Sequence, residues 1–359
     1  MNAALQVTTL GQSLWLDNLS RSLIRDGTLA RLIAEDGISG VTSNPSIFQN
    51  ALASSPYYAD DLAKLRVSEP DPERRYEALV IPDIQAACDL LLPTFAASGG
   101  KDGYVSLEVA PRWADDSART VEEAQRLSSL VDRRNLLVKV PGTPAGVSAF
   151  ETLTRLGINV NVTLLFSIAQ TEAVFNAYIR GLTVRAQTGA DIQHSKAVAS
   201  LFLSRVDTLA DTQLTAIGTP EALSLRGQAA VAMAKLAYRS YLKTFFGPAF
   251  AALAQQGAAP QFLLWASTGV KNPAYSDLLY VEPLIGSDTI NTLPDKTLAA
   301  LIDHGKAVLT LENGLDEAAA QFSALDRLGV RMEAIGASLQ TDGVNLFAAA
   351  FDKLLAQTT

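Results

Sequence analysis

The chain has 359 residues, 48% hydrophobic and only 18% charged, which supplies ample apolar material for a core and excludes general disorder. Its formal charge is −8, with 29 Lys and Arg against 37 Asp and Glu, so nucleic acid is not an expected partner, whereas a small phosphorylated ligand needs only a few local cations. One cysteine, Cys88, and two histidines, His194 and His304, exclude an internal disulfide and the usual His/Cys metal clusters, so neither a metal nor a cofactor is expected.

The first seventeen residues, MNAALQVTTLGQSLWLD, carry no basic residue ahead of an apolar stretch, and no apolar run reaches about 18 residues. A cytoplasmic protein without a membrane segment is expected. Short strand-like runs then alternate with longer helical ones. The predicted strands are 13–16, 40–42, 104–109, 136–140, 159–165, 198–204, 261–265 and a weak one at 279–285. Between them, Val121, Ala124, Leu127, Leu130 and Val131 fall on one helical face, as do Phe175, Tyr178, Ile179 and Leu182. Thr120 with Glu123, and Ser167 with Gln170, have the spacing of a capping box and mark expected helix starts. Cys88, inside an apolar helical segment, reads as core packing.

Eight strand–helix units predict a closed (β/α)8 barrel. A doubly wound open sheet gives a similar alternation, but no G-x-G-x-x-G follows the first strand and no G-K-[ST] occurs, so the barrel is preferred. The whole chain, 1–359, reads as one barrel domain. Additional helices are expected around 56–97, 226–246 and 294–359, the last with helical stretches at 315–328 and 344–355.

In such a barrel the chemistry lies at the carboxyl ends of the strands, and polar residues concentrate there. The first strand ends in Asp17, the second in Asn44, and the third carries Glu108. Lys139 sits in the apolar fourth strand, Asn161 and Thr163 share one face of the fifth, Ser200 to Arg205 close the sixth, and Ser267 to Lys271 close the seventh. A lysine desolvated in Leu136-Leu137-Val138-Lys139-Val140 is suited to attack a carbonyl carbon; the other reading is an edge-strand lysine that blocks aggregation. Asp17 and Glu108 fit an acid/base pair, or equally a helix cap and an ion pair with a barrel cation. Asn44 before Pro45 is also a common turn start, and Asn161 and Thr163 could be satisfied polar packing. Arg205, Ser267 and Lys271 together could clamp an anion.

These residues lie in seven ordered segments, WLDNLSR, GVTSNPSIF, VSLEVAP, LLVKVPGT, INVNVTLLFS, SLFLSRVD and WASTGVKNP, through which nearly the whole chain resembles the transaldolase family in its longer bacterial form. The resemblance implies a class I aldolase-like barrel that transfers a dihydroxyacetone unit from a ketose phosphate to an aldose phosphate without metal. It implies that Lys139 forms a Schiff base with the donor ketone and that Asp17 exchanges the proton of the C4 hydroxyl. Glu108 with Thr163 would position a water, Asn44 and Asn161 would hold the three-carbon fragment, and Ser200 would contact the sugar. Arg205, Ser267 and Lys271 would hold the phosphate. Shorter members carry serine, an aromatic residue and arginine at the seventh strand, where this chain offers Ser267 and Lys271; lysine lacks the bidentate fork. Sugar phosphates are the implied partners, with monomer and homo-oligomer both open. Two other readings remain at this stage: a Schiff-base fructose 6-phosphate aldolase, disfavoured because those relatives are shorter and lack the glutamate matched by Glu108, and a sugar-phosphate-binding protein without catalysis.

Overall fold

Eight parallel strands close on themselves in sequence order in a computed structural model that describes residues 2–359. They are β1 (Gln12–Leu16), β2 (Ile38–Thr42), β3 (Tyr104–Glu108), β4 (Leu136–Pro141), β5 (Val160–Leu165), β6 (Ala197–Phe202), β7 (Phe262–Ala266) and β8 (Thr289–Leu293). β4 to β8 are buried at every position, because the barrel interior covers one face and the surrounding helices the other. The closed (β/α)8 barrel expected from the alternation is the observed fold.

Closure places polar side chains of different strands side by side. Glu108 is in register with Lys139, and Lys139 with Asn161, so three strands present polar groups in one layer of the interior. Deeper inside, the interior is filled by apolar bulk: a Cβ at Gly40 would lie 2.5 Å from the indole of Trp15, so the position has room only for glycine.

Three expectations are corrected. The eighth strand is 289–293 and not 279–285, which forms turns and the 3-10 turn Glu282–Leu284; Pro283 has no N–H to give a ladder there, whereas Thr289, Ile290 and Thr292 are β-branched. The helix expected to start at Thr120 runs Ser117–Val131 and is capped by Asp116, whose carboxylate accepts from the Arg119 N–H at 3.0 Å. Thr120 instead donates to the Trp113 carbonyl at 2.8 Å. The sixth strand stops at Phe202, and Ser204 opens the helix Ser204–Ile217. The other expected cap holds: Ser167 accepts from the Gln170 N–H at 3.3 Å and begins the helix Ile168–Gln187.

Additional helices include Ala59–Ser68, Pro72–Ala97, Ala229–Phe245, Asp295–His304 and Leu315–Arg327. Pro72–Ala97 is long and apolar enough to cross a membrane by length and composition, yet half of its most apolar window is buried. It packs Leu79, Val80, Ile84, Cys88 and Leu91 inward, and its Asp83 forms a buried ion pair with Arg21 at 2.9 Å. Burial pushes the Cys88 thiol up to about 12, as expected for a packed and unreactive side chain. The last helix, Met332–Thr358, begins twelve residues before the stretch expected at 344–355. Gly336 and Gly343, poor helix formers, lie within or at the edge of the added stretch. Both are needed where the helix crosses the end of β5: a Cβ would meet the Ser167 Cβ at 2.7 Å and the Leu164 Cδ2 at 3.0 Å.

Candidate active site

The carboxyl ends of the strands surround a cavity of about 160 Å³. Lys139, from the middle of β4, reaches its wall with a side chain only 5% exposed. A closed barrel has no edge strand, so the edge-strand reading of this lysine falls away. Its Nζ donates to the Ser43 carbonyl at 3.2 Å and lies 3.5 Å from Glu108 Oε2. The ring of Phe347, carried over the mouth by the last helix, lies 5.8 Å away and shields the amine from solvent.

Two carboxylates flank this amine. Asp17 follows β1 and is held by its own N–H, which donates to the Leu293 carbonyl at 2.9 Å, and by Thr42 Oγ1, which donates to its carboxylate at 2.8 Å. Burial raises the Asp17 pKa, while the charge of Lys139 and the Thr42 hydrogen bond oppose the rise. Asp17 caps no helix. Glu108 lies behind the amine and not on the cavity wall; burial pushes its carboxyl up to about 7, against the opposing charge of Lys139. The ion pair read as its alternative role is therefore present, and its partner is the lysine itself.

Thr163 lines the cavity with a fully buried hydroxyl that has no hydrogen-bond partner among the described residues, and Glu108 Oε2 makes no hydrogen bond among them beyond its ion pair with Lys139. Two unsatisfied buried oxygens are costly unless a ligand or water answers them. Ser200 lines the cavity, and its hydroxyl donates to Asn161 Oδ1 at 2.7 Å; Asn161 Nδ2 in turn donates to Ser106 Oγ at 3.1 Å. Asn161 thus has both ends of its amide engaged and sits beneath the wall, as its packing alternative had it. Asn44 combines its two readings: it lines the cavity and also caps the helix Pro45–Ser54, accepting from the Ile47 N–H at 3.0 Å.

Arg205 stands in the first turn after β6, half-buried, facing the cavity with a guanidinium that makes no hydrogen bond or ion pair among the described residues. Burial lowers its pKa, and the charge of Asp342 opposes the drop. Ser267 faces the cavity from beyond β7 at φ +55°, its hydroxyl 2.8 Å from that of Ser204. A serine in the left-handed region is strained, and such strain concentrates at functional positions. Lys271 does not line this cavity: it is exposed and lines a neighbouring cleft with Asp207 and Tyr275, although its charge still reaches Asp17. Sequence reasoning singled out neither Thr292 nor Phe347, which also line the cavity. Thr292 was hidden by the misplaced eighth strand. Phe347 lies 208 residues from Lys139, and nothing local marks it.

The Glu108 carboxyl gives a pH prediction. In the unfolded chain it loses its proton near 4.5, in the fold only near 7, so between these values the folded state binds more protons and stability falls as pH rises. Denaturant unfolding at pH 5 and 7.5 should show a loss on the order of 1–3 kcal/mol from this group, and Glu108→Gln should remove that slope. An unchanged slope in the variant means another group is responsible.

A parallel barrel with an amine between two carboxylates at its carboxyl mouth defines an enzyme class, the lysine-dependent barrels that act on carbonyl carbons. Residues 14–358 match the family described as transaldolase/fructose-6-phosphate aldolase, and the chain belongs to it. A transaldolase of Thiobacillus denitrificans is 72% identical over 357 residues, 99% of each chain. One of Neisseria meningitidis is 50% identical over 350 residues, 98% of this chain and 97% of its own; transaldolase 1 of Streptomyces coelicolor is 46% identical, covering 97% and 92%.

Proposed function

We infer that the protein is a transaldolase of the non-oxidative pentose phosphate pathway, moving a dihydroxyacetone unit from sedoheptulose 7-phosphate or fructose 6-phosphate to glyceraldehyde 3-phosphate or erythrose 4-phosphate. The observation that carries this reading is the buried Lys139 amine between Asp17 and Glu108, on the wall of a cavity that also holds the unpaired Arg205. Lys139 Nζ adds to the C2 ketone, and loss of water leaves an iminium. Asp17 takes the proton of the C4 hydroxyl as the C3–C4 bond breaks; the bonding pair flows into the iminium to give an enamine, and the aldose phosphate leaves. Attack of the enamine on an acceptor aldehyde reverses these steps, and water then releases the new ketose. Glu108 and the free hydroxyl of Thr163 hold the water consumed and formed in the Schiff-base steps, consistent with their unsatisfied oxygens. Asn44 and Ser200 keep the three-carbon fragment in place, and Asn161 acts from beneath the wall by holding the Ser200 hydroxyl. Arg205 with Ser267 receives the phosphate, with Lys271 as an outer cation. Sugar phosphates are the partners, and the cytoplasm is where they are held.

The test is peptide mass spectrometry after incubation with fructose 6-phosphate and borohydride, with and without erythrose 4-phosphate. A three-carbon adduct on Lys139 that vanishes with acceptor is the transferase result. An adduct unaffected by acceptor, with free dihydroxyacetone accumulating, gives the aldolase reading, and no adduct rejects Schiff-base chemistry on this donor.

Two substitutions probe separate parts of the scheme. Arg205→Ala should raise KM for phosphorylated donors by about tenfold or more with a smaller change in kcat; an unchanged KM places the phosphate elsewhere. Phe347→Ala removes a ring that is 6% exposed and should lower stability by about 3 kcal/mol. It also opens the amine to water, so the ratio of dihydroxyacetone released to dihydroxyacetone transferred should rise. A constant ratio would exclude a shielding role.

A further inference from the structure

A second and larger cavity, about 720 Å³, opens at the opposite end of the barrel. It is lined by the first residues of β3, β4 and β7 (Tyr104, Leu136, Phe262) and by residues just ahead of β5, β6 and β8 (Asn159, Lys196, Asp288). Strands of this length separate it from the catalytic mouth by about 17–20 Å. Its volume lies within the range of small-molecule sites.

Its charge runs against that of the whole chain. Lys101, Arg133, Arg134 and Lys196 line it, against Asp288. Arg133 is committed to Asp89, at 2.6 Å. Lys101 and Arg134 are exposed and pair with no acid among the described residues; Arg134 rests only on the face of Phe95, 5.1 Å from the ring centroid. Lys196 is the unusual member. It is only 4% exposed, its Nζ donates to the Lys101 carbonyl at 2.8 Å, and it stands 3.4 Å above the centre of the Phe262 ring with no carboxylate among the described residues paired to it. Of the acids whose field reaches it, Asp102 is engaged by Ser13 and Trp15, and Asp288 is exposed. Burial lowers the Lys196 pKa to about 7, so a cation held there without a counterion is costly. The remaining walls are aromatic, with Phe95, Tyr104, Phe262 and the rim residue Phe246, which is 62% exposed.

We propose that this cavity is a second ligand site, which takes a small phosphate ester carrying a planar ring. The phosphate is received by Lys196, Arg134 and Lys101, and the ring packs against the aromatic wall. Buried lysines without a counterion are rare, and here the missing counterion is supplied by the ligand. The site lies apart from Lys139 and Arg205, so it is independent of the catalytic reading.

The experiment is isothermal titration of the full chain with phenyl phosphate, alongside inorganic phosphate. The parent protein is expected to bind phenyl phosphate at two sites, one of them the catalytic phosphate position. The double variant Lys101→Ala/Arg134→Ala, which changes only exposed side chains, should weaken the second site at least about tenfold and leave turnover unchanged. Lys196→Met should abolish it. Inorganic phosphate, lacking the ring, should bind there at least about tenfold more weakly than phenyl phosphate. A single site in the parent, or a second site untouched by the double variant, overturns the proposal.

Discussion

Lys139→Ala should abolish every covalent adduct with a ketose phosphate and reduce turnover by at least about 10³-fold, with phosphate binding largely kept. No other lysine lines the catalytic cavity, so no second amine stands ready to replace it. The side chain also carries the cation that faces Glu108 at 3.5 Å and opposes the rise in the Asp17 pKa. Its removal therefore leaves two buried carboxyls without a counterion, and both should take up protons more readily. Intact-mass measurement after borohydride, together with donor binding by calorimetry, separates lost chemistry from lost binding. Retained turnover would remove Lys139 from the mechanism.

Asp17→Asn should be the next most damaging change, lowering kcat by about 10²–10⁴-fold while the iminium still forms. The substitution keeps the size of the side chain, and an amide oxygen can still accept from Thr42 Oγ1, now at 2.8 Å from the carboxylate. What it removes is the base that takes the C4 hydroxyl proton during bond cleavage. The adduct trapped with fructose 6-phosphate should then shift from three carbons to the uncleaved six-carbon donor. If the variant still traps only the three-carbon fragment at the parent's rate, the base lies elsewhere. Because desolvation raises the Asp17 pKa, the parent's cleavage rate should also fall as pH drops toward that pKa, and the acid limb should disappear in the variant.

Much of this was legible in the linear chain. The alternation of apolar runs and amphipathic stretches specifies a parallel closed sheet, because strands with two buried faces need helices on one of them. Seven of the eight strands lie where their apolar runs are. The eighth is polar at Thr289, Asn291 and Thr292, and a barrel tolerates this because both faces have partners: Asn291 donates to the Tyr280 carbonyl at 3.0 Å, and Thr292 shares a 2.7 Å hydrogen bond with Thr42. Burial of Lys139 also followed from its neighbours in β4.

The pairings were decided only by tertiary structure. Lys139 faces Glu108 because β3 and β4 adopt one register, and a slip of one residue would turn either side chain outward. Arg205 and Lys271 are both basic residues after strand ends, yet one is half-buried and facing the cavity and the other exposed beside it, because Arg205 lies in the first turn of a helix that opens directly after β6 and Lys271 in the loop that follows β7. Phe347 reaches the amine because Gly336 and Gly343 let the last helix pass close over β5. The second cavity, with Lys196 against Phe262, has no local signature either, since its walls come from the starts of several strands. Periodicity and composition act over a few residues and determined which elements form; contact between distant residues depends on closure and register, which only the assembled barrel supplies.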